Sequence, residues 1–171
     1  IGQRLLREVT SRILDPCLQR DYNWMGLQTG RVNNWNPWVC SNWLTALLIL
    51  ESDPHRRIES VAKILRCLDV FIRQYPADGG CDEGPGYWTR AGASLFDCLE
   101  ILHSATRGRI DLYRESLIRE MGRFIYRVHI SGNWFVNFAD AGPILIPPEI
   151  LVFRYGERIR DALMQNFARS L

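Results

Sequence analysis

Apolar residues recur along this chain at spacings of three and four, the mark of helices that bury one face. Leu5, Leu6, Val9, Ile13 and Leu14 make a first amphipathic stretch. It is expected to stop at Asp15-Pro16, because proline pushes the residue before it out of the α region. A loop rich in asparagine, glycine and aromatics follows over 19–36, and Pro37 stands where it can open a second helix over 38–50. Ser52 or Asp53 then caps a third helix that begins at Pro54 and runs to Gln74 or Tyr75, with Ile58, Val61, Leu65, Leu68 and Ile72 on one face.

Pro76 ends that helix, and residues 77–86 form a loop with four glycines and three acids. A fourth helix over 87–104 turns Leu95, Phe96, Leu99 and Leu102 inward and closes at Gly108. A fifth over 112–129 buries Leu117, Met121, Phe124, Ile125 and Val128. Residues 132–148 have no helical period and are expected to be extended in part. Short helices over 149–155 and 157–170 complete the pattern, which is that of an all-α fold of antiparallel helix pairs with loops of uneven length.

The 171 residues, 47% of them hydrophobic, suit a single domain over 1–171. A formal charge of +2 argues against a wide nucleic-acid footprint, and no apolar run reaches the roughly 20 residues of a membrane span. Of 21 basic residues 20 are arginine and only Lys63 is lysine, a bias that suits acidic ligands and ordinary ion pairs alike. The chain starts at Ile1 with no initiator Met and no basic-then-apolar leader, which reads as a piece of a longer protein. Cys17, Cys40, Cys67, Cys81 and Cys98 form no C-x-x-C pair, so neither a disulfide framework nor a metal site is expected, and no cofactor motif appears. His55, His103 and His129 read as surface or helix-end residues.

Two non-helical strings hold the candidate chemistry. The first runs Arg31-Val32-Asn33-Asn34-Trp35-Asn36-Pro37-Trp38, and the second, over 78–88, ends Asp82-Glu83-Gly84-Pro85-Gly86-Tyr87-Trp88. Both precede helices, which is expected to gather them at one cleft. Amides bond sugar hydroxyls and indoles cover apolar ring faces, so Trp35, Trp38 and Trp88 are candidate ligand contacts, while Trp43 and Trp134 read as core. Asp78, Asp82 and Glu83 either supply the acid and base of a glycoside hydrolase or make turns and ion pairs.

The strings N-N-W-N-P-W at 33–38 and D-G-G-C-D-E-G-P-G-Y-W at 78–88 resemble the α/α-toroid domain of heparinase II/III-like polysaccharide lyases, over roughly 33–102. The string over 132–141 extends the resemblance weakly. Many relatives carry histidine after the asparagine, where this chain has Trp35. The resemblance implies a partial (α/α) toroid whose C-terminal β-sandwich domain lies outside the chain, export to the periplasm or beyond, and an acidic polysaccharide or oligosaccharide as partner. It implies β-elimination at a uronate, with Asn34 or Asn33 neutralising the carboxylate and Tyr87 transferring the proton. Trp35, Trp38, Trp88, Asp82 and Glu83 would contact substrate. A phenol with an ordinary pKa near 10 is a poor base at neutral pH, and Arg90 would supply the cationic help. A hydrolase on a similar toroid and a non-catalytic carbohydrate-binding or scaffold module are the alternatives.

Overall fold

The computed structural model describes residues 2–171, and the fold is mostly helical with one minor two-stranded hairpin. The chain divides into two compact units, one ending at Gln74 and the other covering Tyr75–Leu171. Each is described by itself.

The first unit opens with α1 (Gly2–Val9), a π turn (Thr10–Leu14) and α2 (Asp15–Gln19) in one helical run. The expected break at Asp15-Pro16 does not occur. Asp15 is helical at φ −64° and ψ −51°, and its N–H donates to Thr10 O, five residues back. The wider π turn lets the ladder slip one residue ahead of Pro16, which accommodates a ring that would press on the preceding turn of a regular α-helix. The stripe expected to be buried is largely exposed here. Leu14 is in the core, whereas Leu5, Leu6 and Ile13 face solvent.

A 3-10 turn (Asn23–Met25) leads through the loop to α3 (Trp35–Leu50), with Pro37 in its first turn as expected. Residues 51–53 connect it to α4 (Pro54–Gln74), making a helical hairpin. Asp53 is the cap, its Oδ1 accepting the His55 N–H at 2.9 Å.

The buried face of α4 is not the expected one. It carries Ser60, Lys63, Ile64, Cys67, Leu68 and Phe71, while Ile58 is 70% exposed. Of the expected row only Leu68 is buried, and the observed face is centred on a cation. Lys63 Nζ donates to Leu18 O at 3.1 Å and Arg20 O at 2.7 Å and pairs with Asp21 Oδ1 at 2.8 Å, so it caps the carbonyl end of α2.

In the second unit, α5 is Gly92–Ala105 and α6 is Ser116–Arg127. Both start later than the periodicity suggests: residues 85–91 form a 3-10 turn (Pro85–Tyr87) and further turns ahead of α5, and residues 113–115 form a turn and bend ahead of α6. Leu95, Phe96, Leu99 and Leu102 are buried as expected. Strands β1 (His129–Ser131) and β2 (Trp134–Phe135) pair antiparallel; β2 lies in the region expected to be extended, whereas β1 precedes it and begins at His129, expected to end the fifth helix.

α7 (Glu149–Arg158) and α8 (Ala162–Ser170) follow, with their break three residues later than expected. Arg160 takes φ +55° there, and Asp161 caps α8 by accepting the Met164 N–H at 2.9 Å. At the centre of this unit Tyr155 stacks on Phe96 at 4.4 Å and lies 6.3 Å from Trp88, and its hydroxyl donates to Ile118 O at 2.8 Å. Gly122 makes room for it, since a Cβ there would stand 3.0 Å from the Tyr155 ring.

Candidate functional site

The loop between α2 and α3 is shaped by Asn36. Its amide is fully buried and donates to Trp24 O at 3.1 Å, Met25 O at 3.3 Å and Cys67 O at 3.0 Å, tying the 3-10 turn to α4. Gly26, at φ +70°, completes the turn, where a Cβ would stand 2.3 Å from Val32 Cγ1. Two of the three asparagines in this string thus serve the fold rather than a ligand, because Asn34 is also buried, at 5% exposure.

Asn33 is the exposed one. Its Oδ1 accepts the Trp35 N–H at 3.1 Å at the start of α3. Around it Tyr22, Asn23, Trp24, Arg31, Val32 and Trp35 line an open groove of about 580 Å³. The Tyr22 and Trp24 rings stack at 6.2 Å and 10°. They also border a second cavity of about 300 Å³, with Arg12, Cys17, Asn42 and Trp43 among its other walls. Trp35 is 53% exposed and Trp38 37%, and the two rings meet edge to face at 5.8 Å. Among the described residues no carboxylate pairs with the exposed Arg31 guanidinium. The groove therefore offers flat apolar faces, amide donors and one uncompensated cation. Cys17 adds no nucleophile, since burial pushes its thiol up to about 11.

The second string lies in the other unit. Gly79, at φ +77°, passes so close to α6 that a Cβ would stand 2.1 Å from the Glu120 carbonyl carbon. Gly84, at φ +90°, would put one 2.5 Å from Phe138 O and 2.7 Å from Ala141 Cβ. The 78–88 string and the 132–141 string therefore pack on each other. Asp78 is used in a turn, its Oδ1 accepting the Gly80 N–H at 2.9 Å, while Asp82 is exposed and Glu83 half-buried. Burial raises the Cys81 thiol to about 11.

The chain matches no protein-family model and no curated protein.

Tyr87 is half-buried, and the Arg90 guanidinium carbon lies 5.8 Å from its ring centroid. Their proximity is as expected, although Arg90 sits in a turn and not on a helix. Trp88 does not fit the role of a ligand contact. It is fully buried, and its Nε1 donates to Met121 O at 2.7 Å, so neither ring face is open. Trp43 is core as expected, whereas Trp134, expected to be core, is 52% exposed on β2.

The structure thus joins Asn33 and Trp35 in one groove, with Trp38 against Trp35, and joins Tyr87 with Arg90 in the other unit. Tyr22 and Trp24 were not singled out from the sequence. Their signal was an aromatic at i and i+2 beside a glycine turn, which is weak without the stacking geometry. Among the described residues no helix is long and apolar enough to cross a membrane, and no group of three or more His, Cys, Asp or Glu is placed to hold a metal ion.

Proposed function

We propose that the chain is part of a polysaccharide lyase acting on uronate-containing polysaccharides, built on a partial α/α toroid. The observation that carries this reading is the groove of Tyr22, Trp24, Arg31, Asn33 and Trp35, whose chemistry suits an acidic sugar. Aromatic faces cover the apolar side of a pyranose, Asn33 bonds its hydroxyls, and Arg31 takes the carboxylate in a bidentate grip. In β-elimination the C5 proton leaves, a C4–C5 double bond forms, and the C4–O4 bond breaks with protonation of the leaving oxygen. Charge that spreads onto the carboxylate must be stabilised in the transition state. The proton-transfer role of Tyr87, in the second unit, rests in this reading on the resemblance of the 78–88 string alone, with Arg90 offering positive charge beside the phenol.

A second reading, a binding module without turnover, is favoured by one feature: the groove is lined by no carboxylate and no histidine. One experiment separates the two. The protein carrying this chain is incubated with a panel of uronate polysaccharides, and the ultraviolet absorbance of the unsaturated product is followed alongside tryptophan quenching. A lyase gives an absorbance rise that Tyr87→Phe abolishes and Trp35→Ala weakens through binding by about tenfold, as for loss of one stacking face. Quenching without absorbance, lost in Trp35→Ala and unchanged in Tyr87→Phe, selects the binding module. Absence of binding to every uronate polymer refutes both.

A further inference from the structure

A pocket of about 300 Å³ in the second unit collects four arginines, Arg114, Arg119, Arg158 and Arg160, together with Tyr113 and Asp111. Their charges are not equivalent. Arg158 Nε donates to Glu100 Oε1 at 2.6 Å and its guanidinium lies 5.3 Å from the Tyr113 ring centroid, so it is a compensated, fixed wall. Glu100 is also held by Arg154 and the Tyr113 hydroxyl, and has no spare charge for the pocket. Among the described residues Arg114, Arg119 and Arg160 have no ion-pair partner. Asp111 is the one carboxylate that lines the pocket, and its Oδ1 already accepts the Tyr113 N–H at 3.1 Å. Three unpaired guanidiniums against one carboxylate leave a local excess of two positive charges.

Two further observations point to a ligand. Arg119 Nε is fully buried with no acceptor, a state that costs free energy until an oxygen fills it. Arg160 stands at φ +55°, where its N–H donates to Glu157 O and the Asp161 N–H donates to Gly156 O, the geometry that closes α7. Glycine is the unstrained choice at that position, yet the chain places a guanidinium there, facing the pocket.

We propose that this pocket is a binding site for a phosphate group, free or carried on an ester. The three unpaired guanidiniums come from the segment before α6, from α6 itself and from the α7–α8 turn. That spread suits a tetrahedral dianion with three or more oxygens better than a planar carboxylate. The site is independent of the groove in the first unit and of the lyase reading.

The test is titration of the full chain with inorganic phosphate at constant ionic strength and slightly alkaline pH, read by the arginine Nε–H resonances in NMR and by calorimetry. A saturable shift of the Arg119 Nε–H signal is expected, with acetate giving none. Arg114→Ala and Arg160→Gly should each weaken binding by about tenfold, as for the loss of one charge-assisted hydrogen-bond partner. Arg160→Gly is the secure variant, because it relieves backbone strain while removing the charge. A hexose 6-phosphate that binds more tightly than inorganic phosphate identifies an ester as the source; the reverse order identifies the free ion. No saturation by roughly 10 mM phosphate, far weaker than a micromolar site, overturns the proposal. So does an affinity unchanged in both variants, or an equal response to acetate.

Discussion

Lys63 is the sole lysine of the chain and one of its few buried charged residues, at 6% exposure. Lys63→Met keeps most of the aliphatic stem and deletes the ammonium, so it isolates the polar contribution. Nζ serves Leu18 O, Arg20 O and Asp21 Oδ1. Hydrogen bonds to a charged donor contribute about 1.5–3 kcal/mol each, so the two carbonyls together set an upper scale of about 3–6 kcal/mol. Arg20 is exposed and regains water when the ammonium leaves, and methionine avoids the desolvation cost of a buried cation. The net expectation is a loss of about 2 kcal/mol.

Urea unfolding followed by tryptophan fluorescence measures this loss, since Trp24, Trp35, Trp38 and Trp43 all report on the first unit. With a slope of about 2 kcal/mol per molar, the midpoint should fall by about 1 M. The pH dependence gives an internal control. The hydrogen bond from Lys63 holds the Asp21 carboxyl below its ordinary 3.8, against the opposing effect of desolvation. A depressed carboxylate contributes stability that is present above its unfolded value and lost as pH falls through the folded one. The gap between wild type and Lys63→Met should therefore narrow below about pH 4, a carboxylate's ordinary range. A methionine variant of unchanged or raised stability at neutral pH would refute the reasoning, by showing that desolvation outweighs the three contacts.

Two further outcomes follow from the second unit. Asp161→Asn keeps an acceptor for the Met164 N–H but loses the Arg123 Nε contact at 2.7 Å, so it should cost about 1 kcal/mol at neutral pH. Burial works to raise the Asp161 carboxyl, but Arg123 and the helix N–H groups outweigh it and hold it below the usual range. The deficit of the asparagine variant should accordingly fade as pH drops through that lowered value, which denaturation midpoints across pH 2–7 measure. Gly79→Ala should prevent normal packing of the 77–80 turn, because its Cβ would stand 2.1–2.4 Å from α6 backbone atoms that cannot move aside. Gly132→Ala, also at positive φ but in open space, should cost only about 1 kcal/mol by thermal melting. Equal losses for the two glycines would show that φ, and not the close approach, governs the first.

The helices were legible wherever burial and punctuation agreed. Pro37 opening α3, Asp53 capping α4 and Gly108 following α5 are local devices whose physics is complete within a few residues. The errors come from elements whose partners are distant in sequence. The π turn ahead of Pro16 is a backbone adjustment that no hydrophobic period announces, and the true face of α4 is set by carbonyls some 43–45 residues earlier that Lys63 caps. Leu5, Leu6 and Ile58 carried the right spacing for burial, yet spacing defines a stripe and not what covers it.

The candidate site divides along the same line. A tryptophan beside a proline or glycine turn reads identically whether it ends exposed, as Trp35 does, or at the centre of a core, as Trp88 does, because both fates place the indole near irregular backbone. What separates them is the partner of the indole nitrogen. Trp88 finds Met121 O, 33 residues on, and is withdrawn from any ligand. Asparagine obeys the same rule: Asn36, with acceptors on three distant residues, became the clamp that shapes the loop, and Asn33, bonded only to its own helix start, stayed open beside Arg31. The groove is therefore built by residues whose polar atoms are consumed in the interior. Under the proposed reading its ligand-facing chemistry is left to the neighbours whose needs are met locally, and for that reason Arg31, Asn33 and Trp35, and not the more heavily bonded residues of the same string, are where that reading expects substitutions to change binding without changing the fold.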